Sequence, residues 1–213
     1  MPHYLKYYLT RSKATIELTP TEYGACINVN FDNDFDCYLS VLPVDGFNGY
    51  SFDANKSRLY AYTDCNQLES YDTGKVRAYF VFEFEDDVIN SEETYVENLT
   101  EKRYGTFIEG ENSCIHLRLN YKKITLKMAT SYISYEQAEI NLENDSTYVD
   151  FESLKAKNEE IWNSYLSRIK INADDDIMKT FYSCMYRVFC ILTRLMKSIN
   201  MEKKYIMRHH VIV

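Results

Sequence analysis

The chain has 213 residues, of which 46% are hydrophobic and 15% aromatic, including 20 tyrosines. This length and apolar content supply a core for one large or two small domains and exclude an intrinsically disordered chain. The chain carries 24 basic and 32 acidic residues, for a net charge of −8, with no basic stripe. Binding to nucleic acid or to an anionic membrane surface needs clustered positive charge, so neither is expected as a function.

Residues 14–128 contain short stretches in which apolar and polar side chains alternate, which is the pattern of β-strands. Acidic or asparagine-containing segments such as Asp32–Asp34 and Asp45–Gly49 separate these stretches and are predicted turns. No helical pattern lies between consecutive strands, so antiparallel pairing in a sandwich or barrel is predicted. The predicted strands are Ala14–Leu18, Cys37–Leu42, Leu59–Tyr62, Val76–Phe84, Ile115–Leu119 and Ile124–Met128.

The last third of the chain has helical patterns. Ser134 and Gln137 have the spacing of a capping box and predict a short helix. Asp150 is the predicted cap of a second helix, and Asp174–Asp176 suits the positive end of the dipole of a third. The most apolar stretch, Ile177–Met196, contains three basic residues, so no membrane span is predicted. The N-terminus has no signal-peptide pattern, and no compartment is assigned.

Apolar side chains surround most of the third predicted helix, and such a helix is expected to have neighbours on several sides. Without them, the isolated chain is predicted to expose an apolar patch and to self-associate.

The cysteines show no spacing typical of a zinc site or a redox motif, and none has an evident activating partner. We therefore predict free and mostly buried thiols without thiolate catalysis. The six cysteines are Cys26, Cys37, Cys65, Cys114, Cys184 and Cys190.

The histidines give no clear site either. His209 and His210 are adjacent, so they point in different directions, and they are predicted to lie in a mobile tail rather than to bind metal. His116 alternates with Leu117 and Leu119, which predicts an outward or rim position on a strand, without a nucleophile as partner.

Two acidic runs imitate functional sites. Asp32–Asp36 begins like a calcium-binding loop, but Cys37 and Pro43 stand where an EF-hand needs glycine and glutamate, so an acidic hairpin turn is predicted. The run Glu83–Asp87 is predicted to be a solvated strand end, because paired catalytic carboxylates must face each other across a pocket.

Two aromatic features could contact a sugar. Tyr60, Tyr62 and Tyr71, near Asp64 and Asn66, form the best polar-aromatic cluster for that purpose. The single tryptophan, Trp162, lies on an amphipathic pattern and is expected to anchor its helix to the sandwich rather than to stack on a sugar.

The segment Ala129–Glu143 resembles glycoside hydrolase family 92, the calcium-dependent exo-acting α-mannosidases. In that family a strand ends in serine, an aromatic residue, a β-branched residue and serine, followed by the pattern E-x-A-x-x-N-L-x-x-E. The resemblance extends over nearly the whole chain, to about Cys190. Further similar stretches are Ile16–Glu22, Tyr38–Val44, Phe151, Trp162–Ile169 and Phe181–Arg187.

This resemblance implies a mainly β fold with C-terminal helices. Residues 1–131 would form an incomplete antiparallel β-sandwich of the galactose mutarotase type, and residues 132–172 the linker helices. Residues 173–213 would begin an (α/α)6 catalytic barrel of which the rest is missing, so the chain is interpreted as a truncated fragment.

The resemblance also implies a function. The intact enzyme would hydrolyse terminal α-1,2-linked mannose from glycans by an inverting mechanism, with calcium as cofactor, and intact family members are often exported. The catalytic acid, the base and the calcium ligands belong to the family's barrel. We therefore assign no catalytic, substrate-binding or metal-binding residue and no cofactor to this chain.

The chain itself is predicted to be an inactive scaffold module for carbohydrate binding. Mannose-containing glycans are the expected partners of the intact enzyme, and a separately encoded catalytic domain is a candidate partner of this chain. The alternative is a non-catalytic carbohydrate-binding β-sandwich.

After Leu195 the sequence departs from the family pattern. A one-nucleotide shift in reading frame would permit the family-like string Y-E-I-N-K-Y-G-K-E-I-H-Y there. We therefore hypothesise a frameshift between Thr193 and Leu195, with the final residues translated out of frame.

Overall fold

The computed structural model describes residues 2–32, 36–42, 46–64, 77–145 and 150–201, with side chains to residue 189. The chain separates into two compact units, His3–Ala156 and Lys157–Val213. The first unit contains both β-sheets, and the boundary between the units falls inside a helix.

The first unit is built on a large antiparallel sheet of eight strands, in the order β1-β2-β3-β12-β7-β6-β5-β10. Every neighbouring pair in this sheet is antiparallel, as the sequence predicted. Its strands are β1 Leu5–Leu9, β2 Ala14–Pro20, β3 Gly24–Phe31, β5 Phe47–Asp53, β6 Arg58–Thr63, β7 Ala78–Phe84, β10 Phe107–Glu111 and β12 Lys123–Ser131.

A second, four-stranded antiparallel sheet has the order β4-β11-β8-β9. Alternate residues of its central strand β11, namely Ile115, Leu117 and Leu119, are fully or almost fully buried and belong to the core shared with the large sheet. The two sheets therefore form the predicted β-sandwich. Its strands are β4 Cys37–Val41, β8 Ile89–Glu97, β9 Lys102–Tyr104 and β11 Cys114–Leu119.

Helix α1, Tyr135–Asp145, covers the other face of the large sheet. Ala138 and Leu142 pack on Val81 of β7 and Ala129 of β12. The capping prediction is confirmed, because the Ser134 side-chain oxygen accepts a hydrogen bond of 3.2 Å from the Gln137 backbone N–H.

Helix α2 spans Phe151–Leu166 and helix α3 spans Asp175–Met201, and both begin at the predicted caps. Asp150 accepts a 2.9 Å bond from the Ser153 backbone N–H, and Asp174 accepts a 3.0 Å bond from that of Ile177. Side-chain carboxylates thus satisfy free N–H groups at both helix starts. No helix among the described residues is both long and apolar enough to cross a membrane.

Strands that the sequence did not predict include β1, β3, β5, β8, β9 and β10. Strand β3 alternates apolar residues with asparagines, which have low β propensity, but pairing compensates: the Thr125 hydroxyl of β12 donates a 2.7 Å hydrogen bond to Asn28. Strand β8 was missed for a similar reason, because most of its residues are polar.

Two predicted turns are wrong. The predicted turn Asp45–Gly49 overlaps strand β5, which begins at Phe47. The acidic run Asp32–Asp36 is not a hairpin turn, because β3 before it lies in the large sheet and β4 after it lies in the small sheet. The run therefore belongs to a connection between the sheets, and residues 33–35 lie outside the described part of the chain.

Candidate functional site

The predicted polar-aromatic cluster lies on the helix-covered face of the large sheet. Tyr60, Tyr62 and Asp64 alternate along β6 and its end, so they share one face, opposite to the buried Leu59 and Ala61. Tyr71 and Asn66 lie outside the described residues.

Tyr60 connects the sheet to helix α1. Its hydroxyl donates a 2.6 Å hydrogen bond to the carboxylate of Glu139, and its ring meets the edge of the Tyr135 ring at 5.5 Å. Burial, followed by the hydrogen bond to Glu139, raises the pKa of Tyr60. Arg58 donates to Glu139 at 3.1 Å and to Glu83 of β7 at 2.6 Å. Donation from Tyr60 and Arg58 lowers the pKa of Glu139, which favours its charged form.

Tyr62 is enclosed by neighbours on the same face. The Arg77 guanidinium lies 3.9 Å from the centre of the Tyr62 ring and donates two hydrogen bonds, of 2.6 and 2.9 Å, to Asp64. The Tyr62 hydroxyl donates to Glu109 at 3.3 Å. A Cβ atom on Gly49 would lie 2.1 Å from the Tyr62 ring, so the glycine is what makes room for the tyrosine. A ring face covered by arginine is not available for stacking on a sugar.

The structure thus brings Tyr60, Tyr62 and Asp64 together but engages each within the chain. Of the three, Tyr60 holds helix α1 on the sheet, through its hydrogen bond to Glu139 and its ring contact with Tyr135. Sugar contact by the cluster stays a prediction that depends on Tyr71 and Asn66.

The acidic run at the end of β7 is confirmed as a solvated strand end, since Glu85, Asp86 and Asp87 are exposed. Glu83, still within β7, is paired with Arg58. A shallow cleft of about 550 Å³ opens beside this strand end. Its lining includes Glu83, Glu85, Asp86, Lys127 and Asp150.

The two described carboxylates of the calcium-like run, Asp32 and Asp36, have different partners. Asp32 accepts a 2.8 Å hydrogen bond from the Tyr8 hydroxyl, whereas Asp36 forms a 2.6 Å ion pair with Arg118. Two carboxylates held by different partners do not fit the convergent oxygen cage that calcium needs. The hairpin turn predicted for this run is wrong, and the rejection of a calcium loop stays a prediction, because residues 33–35 lie outside the described part of the chain.

His116 differs from its prediction. It lies on the outer face of the small sheet, opposite to Ile115 and Leu117, but it is only 8% exposed. Its ring stacks on Tyr95 of β8 with centroids 4.3 Å apart and an interplanar angle of 14°. The outward position predicted from alternation is therefore correct, but neighbouring strands bury the side chain, and burial lowers the pKa of His116.

His116 also has polar partners that the sequence did not suggest. Its Nδ1 lies 2.7 Å from the Ser40 hydroxyl, and its Nε2 lies 3.3 Å from the Cys114 sulfur and 3.1 Å from the Glu97 carboxylate. The prediction that His116 has no nucleophile as partner is therefore wrong, since a hydroxyl and a thiol both contact its ring. Burial, followed by the charge of Glu97, raises the pKa of that thiol, so the contact does not produce a reactive thiolate.

The described cysteines are reduced thiols, as predicted. Cys26, Cys37 and Cys114 are buried and Cys184 is exposed. The side chains of Cys65 and Cys190, and both His209 and His210, lie outside the described residues.

In the second unit, Trp162 contacts aromatic residues of its own unit. Its ring centroid lies 5.0 Å from that of Tyr186 on α3 and 6.3 Å from that of Tyr165 on α2. Trp162 thus helps to join α2 and α3, a contact that the sequence did not predict. Anchoring of the helix to the sandwich stays a prediction.

A family model, the glycosyl hydrolase family 92 catalytic domain, matches residues 137–212. The match extends across the segment for which we hypothesise out-of-frame translation, and that hypothesis stays a prediction. No curated protein has a sequence that matches this chain.

Solved structures of family 92 share the fold. The inverting mannosidase BT2199 from Bacteroides thetaiotaomicron VPI-5482 has a TM-score of 0.76 and 26% identity, covering 88% of this chain and 25% of that one. The α-mannosidase BT3965 from Bacteroides thetaiotaomicron has a TM-score of 0.72 and 17% identity, with coverages of 87% and 26%. The family 92 glycosyl hydrolase ccman5 has a TM-score of 0.68 and 15% identity, with coverages of 83% and 24%. This chain spans about a quarter of the length of each.

Proposed function

We propose, from the confirmed resemblance of this chain to glycoside hydrolase family 92, that it forms the β-sandwich and opening helices of a mannosidase. The observation that carries this proposal is the likeness to BT2199, an inverting mannosidase with the same fold at a TM-score of 0.76. The family-model match at residues 137–212 supports it independently from sequence. In the whole enzyme, the activity would be hydrolysis of terminal α-mannose from glycans, with inversion and with calcium as cofactor.

The chain acts in this proposal as a scaffold rather than as the catalyst. Inverting hydrolysis needs a carboxylic acid and a carboxylate about 6.5 to 9.5 Å apart on opposite sides of the sugar. Among the described residues, the cleft beside β7 is large enough for a sugar and is lined by several carboxylates. Glu83 there is paired with Arg58, and Glu85 and Asp86 are exposed to solvent on the same strand end, so these carboxylates do not face each other across an enclosed site.

The role left to the sandwich is to position loops and the first barrel helix. Helix α1 lies largely within the segment Ala129–Glu143 that resembles the family, and the contacts of Tyr60 and Arg58 with Glu139 fix this helix to the large sheet. A rigid connection at this point would hold a helical catalytic domain against the sandwich, which is how a site between two domains keeps its geometry.

A second candidate, a carbohydrate-binding module without catalysis, is favoured by the cleft of about 550 Å³. That volume lies within the range of small-ligand sites, and its acidic rim could accept hydrogen bonds from sugar hydroxyls. Both lining phenylalanines, Phe84 and Phe151, are buried, so the cleft offers no exposed aromatic platform. We therefore favour the scaffold function.

One experiment separates the two functions. The purified chain is incubated with an α-1,2-linked mannobiose in calcium-containing buffer, and free mannose is measured; the same chain is titrated calorimetrically with methyl α-mannoside. The scaffold function predicts no mannose release and no binding tighter than the millimolar range. Micromolar binding that is lost in Glu85→Gln/Asp86→Asn, but kept in Glu22→Gln, would establish the binding module instead. Release of mannose by the chain alone would overturn the scaffold proposal.

A further inference from the structure

Three side chains with metal-binding atoms converge on the outer face of the small sheet. Cys114 and His116 are two residues apart on β11 and therefore share a face, and strand pairing places Glu97 of β8 directly opposite Cys114. The sulfur, the Nε2 atom and the carboxylate oxygen lie within 4.8 Å of one another. The set is separate from the helix-covered face, where the contacts of the polar-aromatic cluster lie.

The separations of these three atoms match a tetrahedral site. Cys114 Sγ lies 3.3 Å from His116 Nε2, Nε2 lies 3.1 Å from Glu97 Oε1, and Sγ lies 3.9 Å from Oε1. Zinc bonds of about 2.0 to 2.3 Å at tetrahedral angles place neighbouring ligand atoms about 3.4 to 3.6 Å apart. Shifts of a few tenths of an ångström would therefore make the three atoms coordinate one ion.

The surroundings of His116 suit a metal ligand. The Ser40 hydroxyl, 2.7 Å from Nδ1, can accept the Nδ1–H and so leave Nε2 with a free lone pair directed at Cys114 and Glu97. Stacking on Tyr95 fixes the plane of the ring. Without a metal, Nε2 faces a sulfur and a carboxylate oxygen at once, and a single N–H on that nitrogen cannot point at both.

The positive charge of Lys102, close to these three side chains, opposes the binding of a cation. The Lys102 ammonium lies over the Tyr95 ring, 4.0 Å from its centre. It is also 3.9 Å from Glu97 Oε2, whereas Oε1 is the oxygen near Cys114 and His116, and the Lys102 side chain is 62% exposed. Since the ammonium contacts the other oxygen and is exposed to solvent, it leaves Oε1 available and weakens the site without blocking it.

We propose that Glu97, Cys114 and His116 bind a thiophilic divalent cation of the zinc type through Oε1, Sγ and Nε2. A water molecule occupies the fourth position, on the side where Glu97 is partly exposed. Binding releases the Cys114 thiol proton to solvent, because the coordinating form of cysteine is the thiolate. The mixed sulfur, nitrogen and oxygen set selects zinc, cobalt or cadmium over calcium, which prefers oxygen ligands.

The test uses the full chain with His209→Ala and His210→Ala, so that the C-terminal histidines do not bind metal. Cobalt(II) is added under reducing conditions, and the ultraviolet absorption of a cobalt–thiolate bond is recorded, followed by displacement with zinc. One ion per chain is expected. Cys114→Ser should remove the absorption, His116→Asn should weaken binding at least tenfold, and Ser40→Ala should weaken it about 10-fold to 100-fold by releasing the histidine ring.

The matched control is Cys184→Ser, which removes an exposed cysteine and should leave the spectrum unchanged. A melting curve of each variant without metal shows whether that variant is folded. For the chain with the intact site, zinc should raise the melting temperature, whereas millimolar calcium should not. The proposal is overturned if cobalt gives no thiolate absorption and zinc no rise in melting temperature. It is equally overturned if folded Cys114→Ser keeps the absorption or Cys184→Ser loses it.

Discussion

The hydroxyl of Tyr60 on β6 donates a 2.6 Å hydrogen bond to the carboxylate of Glu139 on helix α1. This bond joins the large sheet to the helix at which the family-model match begins. Its strength depends on the charge of Glu139, which Arg58 also contacts. Charged hydrogen bonds therefore hold α1 on the sandwich in addition to apolar packing, and their contribution to stability can be measured.

Removing the Tyr60 hydroxyl should loosen the helix. Tyr60→Phe keeps the ring contact with Tyr135 but deletes one charged hydrogen bond, at a cost of about 1 kcal/mol in unfolding free energy and about 2 to 4 °C in melting temperature. Calorimetric melting measures both. Tyr8→Phe is the matched control, because its hydroxyl also donates to a carboxylate, that of Asp32, but at an exposed position. An equal loss of unfolding free energy in both variants would mean that the Tyr60 hydrogen bond stabilises the chain no more than an exposed one does.

Glu139 should make stability depend on acidity. Its pKa is held below the ordinary 4.5 in the folded chain, first by the Tyr60 hydroxyl and then by Arg58. Its stabilising contribution is therefore fully present above pH 4.5 and is lost as the pH falls through the lower folded-state value. Glu139→Gln should be less stable than the parent chain at pH 7, and the difference should shrink below pH 4.5. Urea unfolding across this range measures it, and a difference that stays constant down to pH 3 would contradict the assignment.

Gly49 should be required because of its cross-strand neighbour Tyr62. A Cβ atom at position 49 would lie 2.1 Å from the Tyr62 ring, so Gly49→Ala should cost about 1 to 3 kcal/mol as the ring moves away from Glu109. In a Tyr62→Ala background the same change should cost much less. A double-mutant cycle by chemical denaturation measures this coupling. An equal loss of unfolding free energy in the two backgrounds would show that Gly49 is required for its backbone conformation and not for the space it leaves to the Tyr62 ring.

The core between the sheets should be sensitive to truncation at Leu117. This side chain is 0% exposed, and Leu117→Ala should cost about 2 to 5 kcal/mol through lost burial and the cavity left behind. Leu99→Ala is the control, since Leu99 is 83% exposed and its truncation should change stability by less than about 0.5 kcal/mol. Comparable losses at the two positions, measured by urea unfolding, would be incompatible with a single core between the sheets.

Local chemistry made some of this structure predictable from sequence. The three helix starts depend on side chains within three residues of the free N–H groups, so Ser134, Asp150 and Asp174 could be identified directly. Alternation likewise placed Leu117 and Leu119 on the buried face of β11. Antiparallel pairing followed from the absence of helical patterns between the strands.

Other features depend on residues far apart in the chain. His116 is buried by Tyr95 and Ser40, which reach it only through the pairing of β11 with β8 and β4. Strand β5 contains Phe47, Asn48 and Gly49, whose composition suggests a turn, and pairing with β6 and β10 holds them in the sheet. The partners of Glu139 belong to strands about 80 residues earlier in sequence, so no local pattern could reveal them.

We propose that this chain is the sandwich part of a mannosidase and that it requires a helical catalytic domain for activity. The most direct measurement replaces the aligned segment of BT2199 with residues 14–189 of this chain and assays mannose release by the chimera and by this chain alone. We predict that a cooperatively melting chimera releases mannose with inversion and that the isolated chain releases none. A folded chimera without activity, or mannose release by the isolated chain, would contradict the account.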